Sequence, residues 1–436
     1  MPFKLSAQNP IVQTVFTADP APMVYNNTVY LYTGHDEDHS KFFTMNDWRC
    51  FSSTDMVNWT DHGSPLSYHA FSWAKGDAWA GQCIFRDGTF YWYVPVKRSD
   101  GKGFSIGVAV SKSPTGPFVD ALGHSLTPGD WGDIDPTVYI NDDGQAYLYW
   151  GNPALKYVKL NKDMTSYSGE IQTVSFADGG FGKLSAGPKP RSQYVEGPWF
   201  YKRQNLYYMV YPAGGIPEHI AYSTSNSPTG PWTYRDTIMP VIAKGGAFTN
   251  HPGLIDFKGK SYFFYHNGDL PGGGGFDRSV CVAEFNYNND GTIPRIIHSE
   301  QGVQNVGNLD PFVRNEAETI AWESGIKTAT TSKTGVYVNV VNNGGYIKVR
   351  AVNFKKRAKS FNASLSAEWS GGSIEIHADH LDGQLLGRCE VNKTGGVENW
   401  LVSSCKIAAI KGVHDIYFVF KGENNHLFNF DWWKFD

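Results

Sequence analysis

Five short runs of alternating aromatic and apolar residues punctuate the first three hundred positions of this 436-residue chain: VYLY at 29–32, FYWY at 90–93, AYLY at 146–149, LYYM at 206–209 and SYFF at 261–264. Each follows a polar cluster of the turn-forming kind: YNNT, RDGT, NDDGQ, YKRQN and FKGK. Alternation bounded by Asn, Asp, Gly and Lys reads as the second strand of a β-hairpin. The first tyrosines of the runs (Tyr30, Tyr91, Tyr147, Tyr207, Tyr262) are spaced by 61, 56, 60 and 55 residues. A fainter echo, SSTDMVNWTDHG from Ser52, SKSPTGPF from Ser111 and STSNSPTGPWTY from Ser223, marks a later strand and turn in three of the repeats. A period of this length, with several strands in each copy, predicts radial repetition: one antiparallel blade per repeat around a central axis, five blades in all.

The pattern changes near residue 300. The stretch 298–319, HSEQGVQNVGNLDPFVRNEAET, has no strong periodicity and begins as a connector; alternating strands then resume as YIKVRAV, SFNASLSAEW, GGSIEIHAD, HDIYFVFKG and LFNFDWWKF. About 120 residues of this kind suit a β-sandwich and are too few for a second propeller. The expected organisation is all-β: a five-bladed β-propeller over 1–300, a linker over 301–314 and a β-sandwich of jelly-roll type over 315–436. The glycine run at 272–275 falls inside the fifth repeat and reads as a loop at the channel mouth.

Radial repetition gives the sequence a chemical reading. Eleven or twelve residues before each of the five tyrosines stand Asp19, Ala80, Asp135, Glu196 and His251, positions that a propeller brings to one ring around its axis. Four of them are followed within two residues by Pro. A lone Asp-Pro is often strand punctuation that bonds local amides. Three carboxylates at one repeat-equivalent position are a different matter, because they repel one another and raise at least one pKa. A protonated carboxyl beside an ionised one is what glycoside hydrolysis requires.

Around the ring, His251 is placed to contact substrate, orient a carboxylate or bind an axial water or ion, and packing against a neighbouring blade is the competing reading. Asn250 precedes it. Arg278 follows the glycine run and either reaches the channel or forms a surface ion pair. Phe43, Trp73 and Trp79 are candidate sugar-stacking rings that a core role would equally explain. A non-catalytic, lectin-like propeller is the alternative from another functional class, and the retention of all three carboxylates argues against it.

The net charge of −4, without a long basic run, excludes nucleic acid or anionic membrane as the natural partner. No segment approaches the roughly 18 apolar residues of a membrane span. The start, MPFKLSAQNP, has no hydrophobic signal core, so the chain is read as either cytoplasmic or a mature secreted form. Of the five cysteines, Cys50, Cys83 and Cys281 are scattered singly; Cys389 and Cys405 are close enough in sequence for a local disulfide, which the spacing leaves open. No Cys/His spacing suggests zinc.

Over residues 8–300 the chain resembles the family 43 glycoside hydrolases. The motifs that carry the likeness are TADPAP around Asp19, DIDPTVYINDDGQAYLYWG around Asp135, YVEGPWFYKR around Glu196, SPTGPW at Ser227 and TNHPG at His251. The resemblance implies a five-bladed propeller acting on arabinose or xylose units of plant polysaccharides. It further implies Asp19 as general base, Asp135 as the residue that raises and orients the acid, Glu196 as general acid, and inversion of the anomeric carbon. The Asn-Asp-Pro-Asn-Gly and Glu-Cys motifs of retaining, invertase-like propellers are absent. The whole-chain likeness is to arabinoxylan arabinofuranohydrolases, which implies removal of α-L-arabinofuranosyl branches from xylan, with β-xylosidase or mixed activity as the runner-up.

Residues 315–436 are similar to family 6 carbohydrate-binding modules through NEAETIAWESG, NNGGYIKV and LFNFDWWKF. That likeness implies sugar contacts at Tyr346, Trp400 and Asn429 and a structural calcium at Glu316, Glu318 and Asp431, whose hard oxygen ligands suit that ion. A second ion on the propeller axis is a further expectation, although the chemistry needs none. The expected partner is arabinoxylan or its oligosaccharides, the expected state a monomer, and a polymer-binding module makes secretion the expected location.

Overall fold

The computed structural model describes residues 9–183, 193–242, 245–368, 371–423 and 427–436. The chain packs as two compact units: residues 16–50 with 64–300, and residues 1–15 and 51–63 with 301–436. Residues 51–63 thus belong in space with the C-terminal half, a grouping the sequence pattern did not indicate.

In the larger unit, successive sheets are antiparallel meanders. Their leading hairpins are Thr17–Tyr25 with Thr28–His35, Gln82–Arg86 with Thr89–Arg98, Thr137–Ile140 with Ala146–Trp150, Trp199–Arg203 with Leu206–Ala213, and Gly253–Phe257 with Lys260–Asn267. The two-residue turns at Asn26-Asn27, Asp87-Gly88 and Lys258-Gly259 have both residues at positive φ. That geometry matches the twist of the strands it joins, which is why Asn, Asp and Gly cluster there. The leading strands lie side by side: 17–25 against 82–86, 82–86 against 137–140, 137–140 against 199–203, and 17–25 against 253–257, which joins the first sheet to the last. Side chains pin neighbours together, with Gln82 Oε1 accepting from the Val138 amide at 2.9 Å and Thr137 Oγ1 from the Phe200 amide at 3.0 Å.

The aromatic runs form the second strands and fill the space between sheets. Trp48, Trp92, Tyr32, Tyr208 and Tyr265 are all buried in one cluster. The second tyrosine of three runs also carries a repeat-specific bond to the next blade. Tyr32 donates to the Pro114 carbonyl at 2.7 Å, Tyr93 to that of Met164 at 2.5 Å and Tyr149 to that of Pro228 at 2.7 Å. Two of these carbonyls belong to the SPTGP turns that the sequence repeats.

The second unit is a β-sandwich. One sheet orders Ile326–Thr331, Gly335–Val340, Phe428–Phe435, Ser360–Ser366 and Leu401–Lys406; the other orders Trp322–Ser324, Tyr346–Phe354, Gly412–Lys421, Gly372–Ala378 and Gln384–Val391. Phe361, Phe418, Phe430 and Trp433 fill the space between them. Residues 59–61 pair with Thr319–Ile320, and Asn58 exchanges two hydrogen bonds with the Arg350 backbone at 2.9 and 2.8 Å. Cys389 and Cys405 are free thiols in hydrogen-bond contact, and that contact, together with burial, pushes the Cys389 thiol up.

Candidate active site

Four of the ring residues sit just before a leading strand and Asp19 sits at an irregularity within the first, and at the three carboxylates the backbone is unusual. Asp19 and Asp135 have φ of 53° and 58° and directly precede proline; in the fourth blade the same pre-proline, left-handed position is Gly197 at 51°, with Glu196 one step earlier. A non-glycine residue in this region costs on the order of 1 kcal/mol and persists only where its surroundings hold it. They do so here: the Asp19 amide donates to His266 Nδ1 at 3.2 Å, and Asp135 Oδ2 accepts the Gly197 amide at 3.1 Å.

His251 stands between the outer pair of carboxylates. Its Nδ1 lies 3.5 Å from Asp19 Oδ1 and its Nε2 3.5 Å from Glu196 Oε1. The nitrogens of an imidazole are about 2 Å apart, so the two carboxylates are separated by at most about 9 Å, which admits the window of roughly 6.5–9.5 Å that leaves room for a water. Burial disfavours the imidazolium, but the charges of Asp19, Asp135 and Glu196 outweigh it and raise the His251 pKa to about 10. Asp135 is pushed up to about 7, first by burial and then by Glu196 and Asp19, with His251 opposing. His266, buried and facing Arg278 and His251, is held well below its ordinary value. As a neutral ring it donates from Nε2 to the Thr249 carbonyl at 2.8 Å and accepts at Nδ1.

Arg278, only 3% exposed, resolves in favour of the channel. It gives Asp19 Oδ1 a hydrogen bond at 3.1 Å and forms a two-pronged pair with the fully buried Asp36, both contacts at 2.8 Å. Its guanidinium also lies 4.9 Å from the Phe43 ring centre. Because Oδ1 of Asp19 faces Arg278, His251 and His266, Oδ2 is left to receive a proton. Asn152 Nδ2 donates to Glu196 Oε2 at 2.5 Å and His251 Nε2 faces Oε1, so both oxygens of this carboxyl are held in place.

Asp19, Asp135, Asn152, Glu196, His251 and Arg278 line a cavity of about 420 Å³ walled by Phe43, Met45, Trp79 and Ile134. Trp131 and Phe42 stand at its lip, 69% and 55% exposed. Such exposure of large rings at a pocket edge suits stacking on a sugar face. Two of the sequence-predicted substrate contacts lie elsewhere. Trp73 bonds Asp120 through Nε1 at 3.2 Å and packs on Phe71, outside the cavity. The buried Asn250 side chain accepts the His266 amide at 3.2 Å and supports the ring from behind. Conversely, Asp36, Asn152, His266, Trp131 and Glu218 had no repeat signal; only GNP after the third aromatic run and HDE after the first hinted at Asn152 and Asp36.

Asp135, Glu196 and His251 offer ligand atoms within 4.8 Å of one another. A cation held there would take the place of the proton on one ring nitrogen of His251, so the ring carries either an imidazolium or an ion-bound imidazole.

In the sandwich unit, Trp400 meets Tyr337 edge-on at 5.3 Å, and Asn429 donates to the Val397 carbonyl of the same loop at 3.3 Å. Tyr346 is on the other sheet, 6.0 Å from Tyr417, so the tyrosine that accompanies Trp400 is Tyr337. Glu316, Glu318 and Asp431 do come together. Glu318 Oε2 and Asp431 Oδ1 are buried without a hydrogen bond, and burial plus the charges of Glu316, Asp61 and Asp431 push Glu318 well up. Orphaned carboxylate oxygens of this kind fit a hard divalent cation. Arg314 lies at the same place, 2.8 Å from Glu316 and 3.5 Å from Asp431.

Residues 7–293 match the model of glycosyl hydrolases family 43, and residues 316–436 that of the carbohydrate binding module, family 6. Over 98% of its length the chain is 33% identical to an arabinoxylan arabinofuranohydrolase of Bacillus subtilis (strain 168), covering 92% of that protein. A xylosidase/arabinosidase of Bacteroides ovatus is 32% identical over 64% of the chain and 94% of its own length. A crystal structure of a family 43 arabinoxylan arabinofuranohydrolase from Bacillus subtilis, in complex with cellotetraose, superposes with a TM-score of 0.84 at 31% identity, over 98% of this chain and 97% of that one. With the motif-bearing residues gathered at one cavity floor and both halves matched, the chain belongs to the family 43 glycosyl hydrolases and carries a C-terminal family 6 carbohydrate-binding module.

Proposed function

We propose that this enzyme removes α-L-arabinofuranosyl side chains from arabinoxylan by a single displacement with inversion. The observation that carries the chemistry is the bridged pair, Asp19 and Glu196 on opposite nitrogens of His251. Asp19, held by Arg278, takes a proton from water through Oδ2 as the water attacks the anomeric carbon. Glu196 gives its proton to the departing xylan oxygen, with Asn152 fixing Oε2 and His251 beside Oε1. Asp135, near neutrality in its own titration, keeps a proton at the acid side of the ring. The arabinoxylan assignment is supported by relatives that share both units with this chain. A compact cavity accommodates a terminal sugar better than the middle of a polymer.

A β-xylosidase or mixed activity is the second reading, supported by the xylosidase/arabinosidase likeness of the propeller. The sandwich unit is assigned to polymer binding, with calcium at Glu316, Glu318 and Asp431 as its structural ion. A polymeric substrate supports work outside the cell. Proton NMR of an arabinoxylan digest, from the first minutes, tests the assignment: β-L-arabinofuranose appearing first supports it, and early xylose with intact branches moves the enzyme to the second reading. Early α-arabinofuranose would overturn the single displacement.

A further inference from the structure

A fourth carboxyl lies behind the ring. Glu218, 3% exposed, precedes the strand His219–Ser225. Its amide donates to the Phe248 carbonyl at 3.0 Å, and its Oε2 accepts the Asn250 amide at 2.9 Å, so one residue grips both ends of the segment 248–250. That segment delivers three parts of the site. The Thr249 carbonyl fixes the His266 tautomer, the Thr249 hydroxyl accepts from Arg278 at 3.3 Å, and His251 follows directly. The other carboxyl oxygen of Glu218, Oε1, is buried without any partner.

We propose that Glu218 is a positioning residue that clamps residues 248–250 and so sets the His251 imidazole between Asp19 and Glu196. The inference rests on the reading of those two carboxylates as base and acid. The clamp works as a neutral carboxylic acid. An ionised carboxylate would bury a bare, charged oxygen, at a cost well above that of a neutral one. It would also face Glu196 and Asp135, opposed by His251 and the Asn250 amide alone. Burial and Glu196 accordingly push this carboxyl well above its ordinary range. On its own strand the neighbouring titratable group, His219, is turned to Gln193 at 3.3 Å. Neutrality also limits the charge of the cluster, which already sets two cations, Arg278 and the His251 imidazolium, against Asp19 and Asp36.

The test compares Glu218→Ala with Glu218→Gln in the full chain, measuring kcat, KM and the pH profile on an arabinoxylan oligosaccharide. Glu218→Ala is expected to lower kcat at least about tenfold with KM within about twofold, because the loss is in the set of the ring rather than in sugar contacts. Glu218→Gln, isosteric with the neutral acid, is expected to recover all but about threefold of that loss and to keep the alkaline limb within about half a pH unit. Wild-type kinetics in Glu218→Ala would overturn the clamp. A Gln variant as damaged as Ala, or an alkaline limb displaced by more than about one unit, would show that the carboxylate acts ionised and would also overturn it. If the Ala variant does not fold, the imidazole shifts of His251 in the Gln variant decide the same point: unchanged for a neutral clamp, displaced otherwise. Wild-type activity in Glu196→Ala would instead sink the acid assignment and leave Glu218 aside.

Discussion

Replacing Asp135 with Asn should change the pH at which this enzyme works more than its best rate. Ligand atoms of Asp135 and Glu196 lie within 4.8 Å of each other. At that distance two negative charges repel by about 3.5 kcal/mol for an effective dielectric of about 20, equivalent to about two and a half pH units on the proton the pair shares. In the wild type that proton is lost near pH 7, the value to which Asp135 is pushed. With Asn the repulsion is gone while Oδ1 can still accept the Gly197 amide, so the alkaline limb of kcat/KM should move down by about two and a half units. At pH 7 the variant should then be slower by roughly a hundredfold, and at pH 5 by only about fourfold. The assay is kcat/KM on arabinoxylan oligosaccharide from pH 4 to 9. An equal loss at pH 5 and pH 7, with the limb unmoved, would refute the like-charge argument and leave Asp135 as a purely geometric support.

Stability should carry a matching signature. The folded pKa of His251 is raised to about 10 from an ordinary 6.5, so its stabilising contribution is complete below about pH 6.5 and is lost as pH climbs towards 10. The melting temperature of the catalytic unit should fall over that interval in calorimetry and fall less in His251→Gln; identical slopes would count against the imidazolium. Chelation by EDTA should lower the melting transition of the sandwich unit, and Glu318→Gln should abolish the response, whereas an EDTA-insensitive wild type would remove calcium from Glu316, Glu318 and Asp431. Tyr337→Ala and Trp400→Ala should each weaken retention on insoluble arabinoxylan by several-fold, with Tyr346→Ala causing less change. If Tyr346→Ala proved the most damaging, binding would belong to the opposite sheet.

The sequence was most legible where one physical rule acts five times over. Hairpin turns need Asn, Asp or Gly at positive φ, and the buried second strands need rings, so the blades stand out. The ring followed from counting, and its three carboxylates converge as that counting implies. The residues that tune them were hidden for the opposite reason: Asp36, Glu218 and His266 each serve one blade, come from loops or strand ends, and matter only through neighbours more than a hundred positions away or in another sheet. Trp73 and Asn250 misled because a ring or an amide beside a ring position reads the same whether it faces the cavity or the packing behind it. Tyr346 and Tyr337 are nine residues apart in similar glycine-flanked strands, and only the sheet order separates them. The placement of 51–63 rests on the long-range bonds of Asn58, which no local pattern announces.

The tyrosine hydrogen bonds between blades have a bearing on where this ring can be opened. Tyr32, Tyr93 and Tyr149 fasten the first blade to the second, the second to the third and the third to the fourth. The equivalent positions in the last two blades are Met209 and Phe264, which have no hydroxyl to give. Beside Met209, Tyr208 makes the corresponding bond, donating to the Gly291 carbonyl at 2.6 Å, so the latches run from the first blade to the fifth and only the junction of the fifth with the first, at Phe264, is left unlatched by this position. A circular permutation that moves the chain ends to the turn at Lys258-Gly259 would cut within the sheet that borders the unlatched junction, whereas one at Asp87-Gly88 would cut in the middle of the latched run. The propeller should tolerate the first better than the second, making its fifth blade the natural point at which to splice in another domain.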